Sequence, residues 1–175
     1  MDNSFFIYLE KLELMIFFSA YPLMYILIRS IGESGIFKKY LDSYPSSASL
    51  LPLTYALIGI LYLGLQLKEL YPDYSVEHIK LSTSQPFLKI WGLLSIAFLL
   101  PVLNKRPLLS LLHSLIFFFF ILKDLYGYTF SEISRNTVKN DMHIYTYSLF
   151  LNLASFIFII ILFLFVRWIK NSKNR

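Results

Sequence analysis

The chain has 175 residues, of which 57% are hydrophobic, 18% aromatic and only 15% charged, with a formal net charge of +5 and a mean hydropathy of +0.60. A soluble domain carries about 25% charged residues, so this balance excludes a disordered chain, a nucleic-acid-binding domain and almost any water-soluble enzyme. The basic residues flank apolar runs instead of forming a stripe, and the chain has no cysteine, which removes disulfides, thiolate metal sites and thiol nucleophiles.

Five runs lack Asp, Glu, Lys and Arg altogether: 14–28, 43–67, 90–104, 107–122 and 144–166. A helix of about 20 apolar residues crosses a hydrocarbon core of ~30 Å. The gaps between the runs all fall below the ~40 residues at which a loop can hold its own core. The expectation is therefore one integral membrane domain over 1–175, with spans near 12–31, 48–70, 86–103, 107–126 and 144–168. The fold class is all-α: a polytopic transmembrane helical bundle of five spans, or of four plus an interfacial N-terminal helix. Met1-Asp2-Asn3-Ser4 has no positive n-region, so no cleaved signal peptide is expected.

In chain order, Glu10, Lys11 and Glu13 form a helical lead-in to the first run, which makes that run the doubtful span, readable as an interfacial helix followed by a short crossing. Pro22 lies inside it and should kink it. Gly32 and Gly35 follow, where a left-handed cap is expected. Pro52 falls in the first turn of the second span and Pro72 ends it; Pro86 and Pro107 open the third and fourth. The third span needs Lys89 to extend back to the headgroups. Asn104-Lys105-Arg106-Pro107 then forces a tight antiparallel hairpin with the fourth, which runs on to Tyr126 with Lys123 and Asp124 at the interface. Trp91 and Trp168 suit interfacial belts, and the phenylalanine run 117–120 covers every side of its helix, so part of it must face lipid.

With the N-terminus outside, nine basic residues face inward (Arg29, Lys38, Lys39, Lys105, Arg106, Arg167, Lys170, Lys173, Arg175) and seven outward. The concentration at the 104–107 turn and the C-terminus favours N-out, C-in, in a plasma (inner) membrane.

Candidate functional residues come from polar groups inside spans, which are costly unless paired. Tyr145, Ser148, Asn152 and Ser155 share one helical face, as do Ser110, His113 and Ser114. Counting from the membrane entry points puts Thr54 level with His113, and Ser95 level with Asn152. The possible intramembrane polar site is thus Thr54, Ser95, His113, Asn152 and Ser155, serving first as interhelical glue at about 0.6 kcal/mol per bond. His113 has no acidic partner at its depth, and a neutral imidazole bonded to Thr54, Tyr55 or a carbonyl is expected. At the outer face, Glu69, Asp73, Glu77 and His78 meet Asp124, Glu132, Asp141 and His143. His78, Asp141 and His143 are the possible site there, although no HExxH-like metal spacing occurs and neither a metal nor a cofactor is expected. The leading function is a non-catalytic accessory or structural subunit acting by packing against other membrane proteins or its own copies in the lipid bilayer, with no nucleic acid partner. A carrier or channel for a neutral or weakly polar solute, and a surface enzyme using the outer-face residues, are the alternatives.

Overall fold

A computed structural model of the protein describes residues 3–33, 47–130 and 135–172. Gly35, Lys38, Lys39, Glu132, Lys173 and Arg175 lie outside the described residues. The fold is an all-α helical bundle. Its first traverse consists of α1 (Asn3–Phe18) and α2 (Tyr21–Glu33), interrupted at Ser19 and Ala20. Pro22 has no N–H to offer the Phe18 carbonyl four residues before it, and α1 ends at that residue. Ser19 N closes α1 onto Met15 O (3.2 Å), and Met24 N reopens the ladder onto Ala20 O (3.1 Å). The expected kink is thus a complete break.

The second traverse is α3 (Ser47–Leu70), with Pro52 near its start. Helix α4 (Val76–Ser82) follows, capped by Ser75, whose hydroxyl accepts from His78 N at 3.2 Å. Ser75 N in turn donates to Asp73 Oδ1 (2.9 Å), and this bond together with one from the Ser75 hydroxyl holds the Asp73 carboxyl below the usual carboxylate range.

Residues 86–103, expected as one continuous span, instead form three short pieces: α5 (Pro86–Leu93), a 3₁₀ segment (Leu94–Leu99) and α6 (Pro101–Asn104). Two residues cause this. The Ser95 hydroxyl donates to Gly92 O three residues back (2.6 Å), favouring the tighter turn. Pro101 cannot donate to the Ala97 carbonyl, which takes Leu100 N instead (2.9 Å). A 3₁₀ helix rises about 2.0 Å per residue against 1.5 Å for an α-helix, so aligned pieces still cover roughly 30 Å. The remaining traverses are α7 (Pro107–Phe130) and α8 (Arg135–Ser172); the latter contains the expected span 144–168 and extends beyond it at its N-terminal end.

Four helical stretches are long and apolar enough to cross a membrane: Ile7–Ile31, Leu50–Leu70, Pro107–Phe130 and Arg135–Ser172; the apolar stretch Pro86–Leu99 is shorter. The first stretch, read from sequence as the doubtful one, has the most buried apolar window, 56% against 11% for the last. Its charged lead-in is part of α1 and packs in the bundle; it is not a separate surface helix.

The core is aromatic. Phe18 stacks on Phe117 with ring centroids 4.7 Å apart and meets Tyr55 and Tyr62 edge-on at 5.8 and 5.4 Å. Tyr21, Tyr55, Tyr62, Phe18 and Phe117 are the largest fully buried side chains among the described residues. The outer surface is apolar as well: Ile26, Phe119, Phe150, Ile161 and Phe165 are each more than half exposed. Helix α8 takes this furthest, since its buried residues are Asp141, Ser148, Asn152 and Ser155, all polar. A helix that turns its polar stripe inward and its apolar faces outward is arranged for a hydrocarbon surround and not for water.

Candidate functional site

Three polar constellations lie inside the bundle. The first repairs the break between α1 and α2. Opening a helix leaves backbone groups unpaired, and burying them unpaired costs several kcal/mol in hydrocarbon. The polar face of α8 supplies the partners: Asn152 Nδ2 donates to Phe17 O (3.0 Å) and to Ser148 O (2.8 Å), while Ala20 N donates to Ser148 Oγ (3.2 Å). Of the face formed by Tyr145, Ser148, Asn152 and Ser155, the last three are buried and Tyr145 is half-buried, and two of its members hold a broken helix. Asn152→Leu is expected to lower stability by about 1–2 kcal/mol and to speed backbone hydrogen exchange around 19–24. Ser155→Ala, which removes a buried hydroxyl beyond the break, should stay within about 0.6 kcal/mol of wild type. Denaturation in mild detergent and hydrogen-exchange mass spectrometry measure both.

The second constellation surrounds His113. Its Nδ1 lies 2.7 Å from Tyr55 Oη, the partner among those expected that the fold selects. Trp91 stacks on the imidazole, centroids 4.6 Å apart and planes 5° from parallel, and its indole N–H donates to His113 O (3.1 Å). Phe98 closes the ring edge-on at 5.9 Å. The other ring nitrogen, Nε2, is buried without a hydrogen-bond partner. Thr54 and Ser95 take no part. Thr54 Oγ1 donates to Leu50 O in its own helix (3.0 Å) and Ser95 to Gly92 O, so neither depth tier read from sequence is joined by a hydrogen bond between its members. Small hydroxyls buried in helices commonly bond back to the preceding turn.

The third constellation was missed by sequence reasoning, which kept formal charge out of the helix contacts. Glu10 is 5% exposed and accepts from the backbone N–H groups of Ser84 (2.7 Å) and Gln85 (2.8 Å), with Lys89 Nζ at 3.4 Å. One residue on, Lys11 is paired with Asp124 and lies 3.5 Å from Asp141. Asp141 is fully buried; its Oδ1 accepts from Tyr8 (3.2 Å), which itself accepts from Asn140 (2.9 Å). Gln66 bridges Glu13 and Glu69 at 3.2 and 3.1 Å. These charges sit at one end of the bundle, within four residues of the charge-free runs that begin at Leu14, Ile90 and Ile144 or end at Leu67 and Leu122. They form an ionic belt joining α1, α5, α7 and α8 at the edge of the apolar region.

That belt changes the outer-face constellation. Asp141 is engaged by Lys11 and Tyr8, His143 is exposed, and His78 is half-buried with its backbone capped by Ser75. Among the described residues no group of three His, Cys, Asp or Glu side chains is placed to hold a metal ion. At the opposite end, Tyr21 Oη donates to Leu51 O (3.0 Å) and lies 2.8 Å from Ser110 Oγ. No family model, curated protein or solved structure matches the chain.

Proposed function

We propose that the protein is a multi-pass integral membrane protein that serves as a non-catalytic accessory or structural subunit, packing against partner helices or its own copies. The observation that carries this reading is α8 beyond Ser155. From there to Ser172 the helix runs on for about 25 Å with its large apolar side chains turned out, Ile157, Phe158, Ile161, Leu162 and Phe165 among them. Meanwhile the buried hydroxyls of Ser19, Thr54, Ser95, Ser110 and Ser114 donate to backbone carbonyls of the bundle, as does the Asn152 amide. Polar chemistry is directed inward to hold the fold, and packing surface is directed outward.

The chain has no cysteine, so single cysteines at Phe158, Ile161, Leu162 and Phe165 in native membranes test the reading. Cross-linking is expected at positions sharing one helical face, with particles in mild detergent heavier than one 20.6 kDa chain. A clean monomer with no cross-link at any of the four would overturn it. The orientation we favour is N-out, C-in, on the strength of Lys105, Arg106, Arg167 and Lys170. Asn140 and Ser172 lie near opposite ends of one helix, and a membrane-impermeant thiol reagent should reach a cysteine at the first from outside and at the second only after the membrane is opened.

The second reading is a carrier for a neutral or weakly polar solute. Two interrupted traverses face each other where Gly92 approaches Phe18, and discontinuous helices frame substrate sites in many transporters. Flux in proteoliposomes that survives His113→Ala combined with Asn152→Ala would remove it. The surface-enzyme reading has less support, because Asp141 is held in the ionic belt.

A further inference from the structure

A groove of about 380 Å³ opens between the C-terminal half of α3, α4 and α5, a volume in the range of small-ligand sites. Its walls are amphipathic. Leu63, Leu67, Ile90 and Leu93 give it an apolar lining, and Glu69 and Lys80 bring charge to it, with Leu70 and Ile79 beside them. Six residues of helix separate Leu63 from Glu69, roughly 9 Å, about the step from first acyl carbons to a headgroup. We propose that this groove binds a phospholipid carrying a primary amine in its headgroup, of the phosphatidylethanolamine type.

Charge sets the headgroup class. Lys89 also borders the groove, but it is matched by Glu10. That leaves Lys80 for a phosphate and Glu69 for a cation, with Glu13 behind it through Gln66. An anionic headgroup would gain one lysine and meet a carboxylate, so a zwitterion fits better. Among zwitterions, a primary ammonium can donate hydrogen bonds to Glu69, whereas a quaternary ammonium cannot and is held by aromatic faces. None of the groove's lining residues is aromatic. Both Glu69 and Lys80 are exposed, so their replacement leaves the core intact. The proposal concerns a single chain and its lipid, so it stands or falls independently of protein partners.

Native mass spectrometry of the full chain tests it. The protein is released from micelles containing equal amounts of the ethanolamine, choline and glycerol phospholipids with identical acyl chains. Ethanolamine adducts are expected to exceed choline adducts by about tenfold, the worth of one charge-assisted hydrogen bond. Glu69→Gln should bring the two to within about twofold, a residual difference well below one such bond. Lys80→Ala should lower all phospholipid adducts, and Lys68→Ala, outside the groove, should leave the pattern unchanged. Glycerophosphoethanolamine, which has the headgroup and no chains, should not displace the bound lipid. The proposal is overturned by equal ethanolamine and choline binding in the wild type, by preference for the glycerol lipid, by an ethanolamine preference that survives Glu69→Gln, or by displacement with the chainless headgroup.

Discussion

Replacing Lys11 with methionine is expected to lower the folding free energy by about 3 kcal/mol, because Lys11 and Asp124 are half-buried and Asp141 fully buried, and removing the lysine leaves that charge without compensation. Lys11 joins three helices: its own α1, α7 through Asp124 and α8 through Asp141. The two carboxylates would then face each other with Tyr8 and Asn140 as the neighbouring donors, and Asp141 is too deeply buried to recruit bulk water. Methionine keeps most of the aliphatic stem that packs over Tyr8, where the ammonium lies 5.9 Å from the ring centroid, so the loss reports charge and not volume. The compensated triple variant, Lys11→Met with Asp124→Asn and Asp141→Asn, removes the charges together and should return to within about 1 kcal/mol of wild type. Titration with a denaturing detergent, followed by tryptophan fluorescence of Trp91, measures each. A Lys11→Met protein as stable as wild type would show that the belt carries no weight in the fold.

That belt also marks where sequence reading stopped. Which segment ends share a side was readable: alternating traverses put Lys11, Lys89, Lys123 and Lys139 on one surface, and Glu10, Lys89, Asp124 and Asp141 do meet at one end. The burial of those charges was not readable, because a charge next to an apolar run looks the same whether it turns to water or to a neighbouring helix. The clue lay in composition: that end of the bundle had carboxylates and lysines in comparable numbers, with Glu10, Lys11, Glu13, Lys89, Lys123, Asp124 and Asp141 each in or within about a turn of a span. The polar face of α8 was legible from spacing, yet its purpose was not. That Ser148 and Asn152 serve the break at Ser19 follows only once Pro22 and α8 are neighbours, a contact across more than a hundred residues. Depth counting could not say whom Thr54 and Ser95 would bond, for a local reason: a hydroxyl can bond to its own preceding turn, and level placement between helices does not compel it to reach across. Continuity was the other error. Pro101 was taken as part of a span when, with Ser95 tightening the turn before it, it divides the segment.

Gly59→Ala is the second large effect expected. A Cβ there would fall on Ser95 Oγ and lie 3.1 Å from Ile96 Cγ1 and 3.2 Å from Ile96 N. Ser95 Oγ can clear the Cβ only by giving up its bond to Gly92 O, and Ile96 N is backbone, so full relief requires the 3₁₀ segment to move. Gly92, just before that segment, is packed as closely, since its own Cβ would meet Leu14 and Phe18 of α1 and Tyr62 of α3 at 3.1 to 3.2 Å. Small residues that let backbones approach are what hold helices together in lipid, and overpacking such a contact costs about 1–3 kcal/mol. Alanine would otherwise favour the helix by up to about 1 kcal/mol, so Gly64→Ala is the control: nothing lies within 4 Å of its added Cβ, and it should equal or exceed wild-type stability. Thermal unfolding in mild detergent that ranks Gly59→Ala at or above Gly64→Ala would refute the close approach of α3 to the interrupted traverse. Because α5 runs directly into the 3₁₀ segment, a shift there also displaces one wall of the lipid groove. Gly59→Ala should therefore lose stability and lipid together, whereas Glu69→Gln alters only which headgroup is chosen.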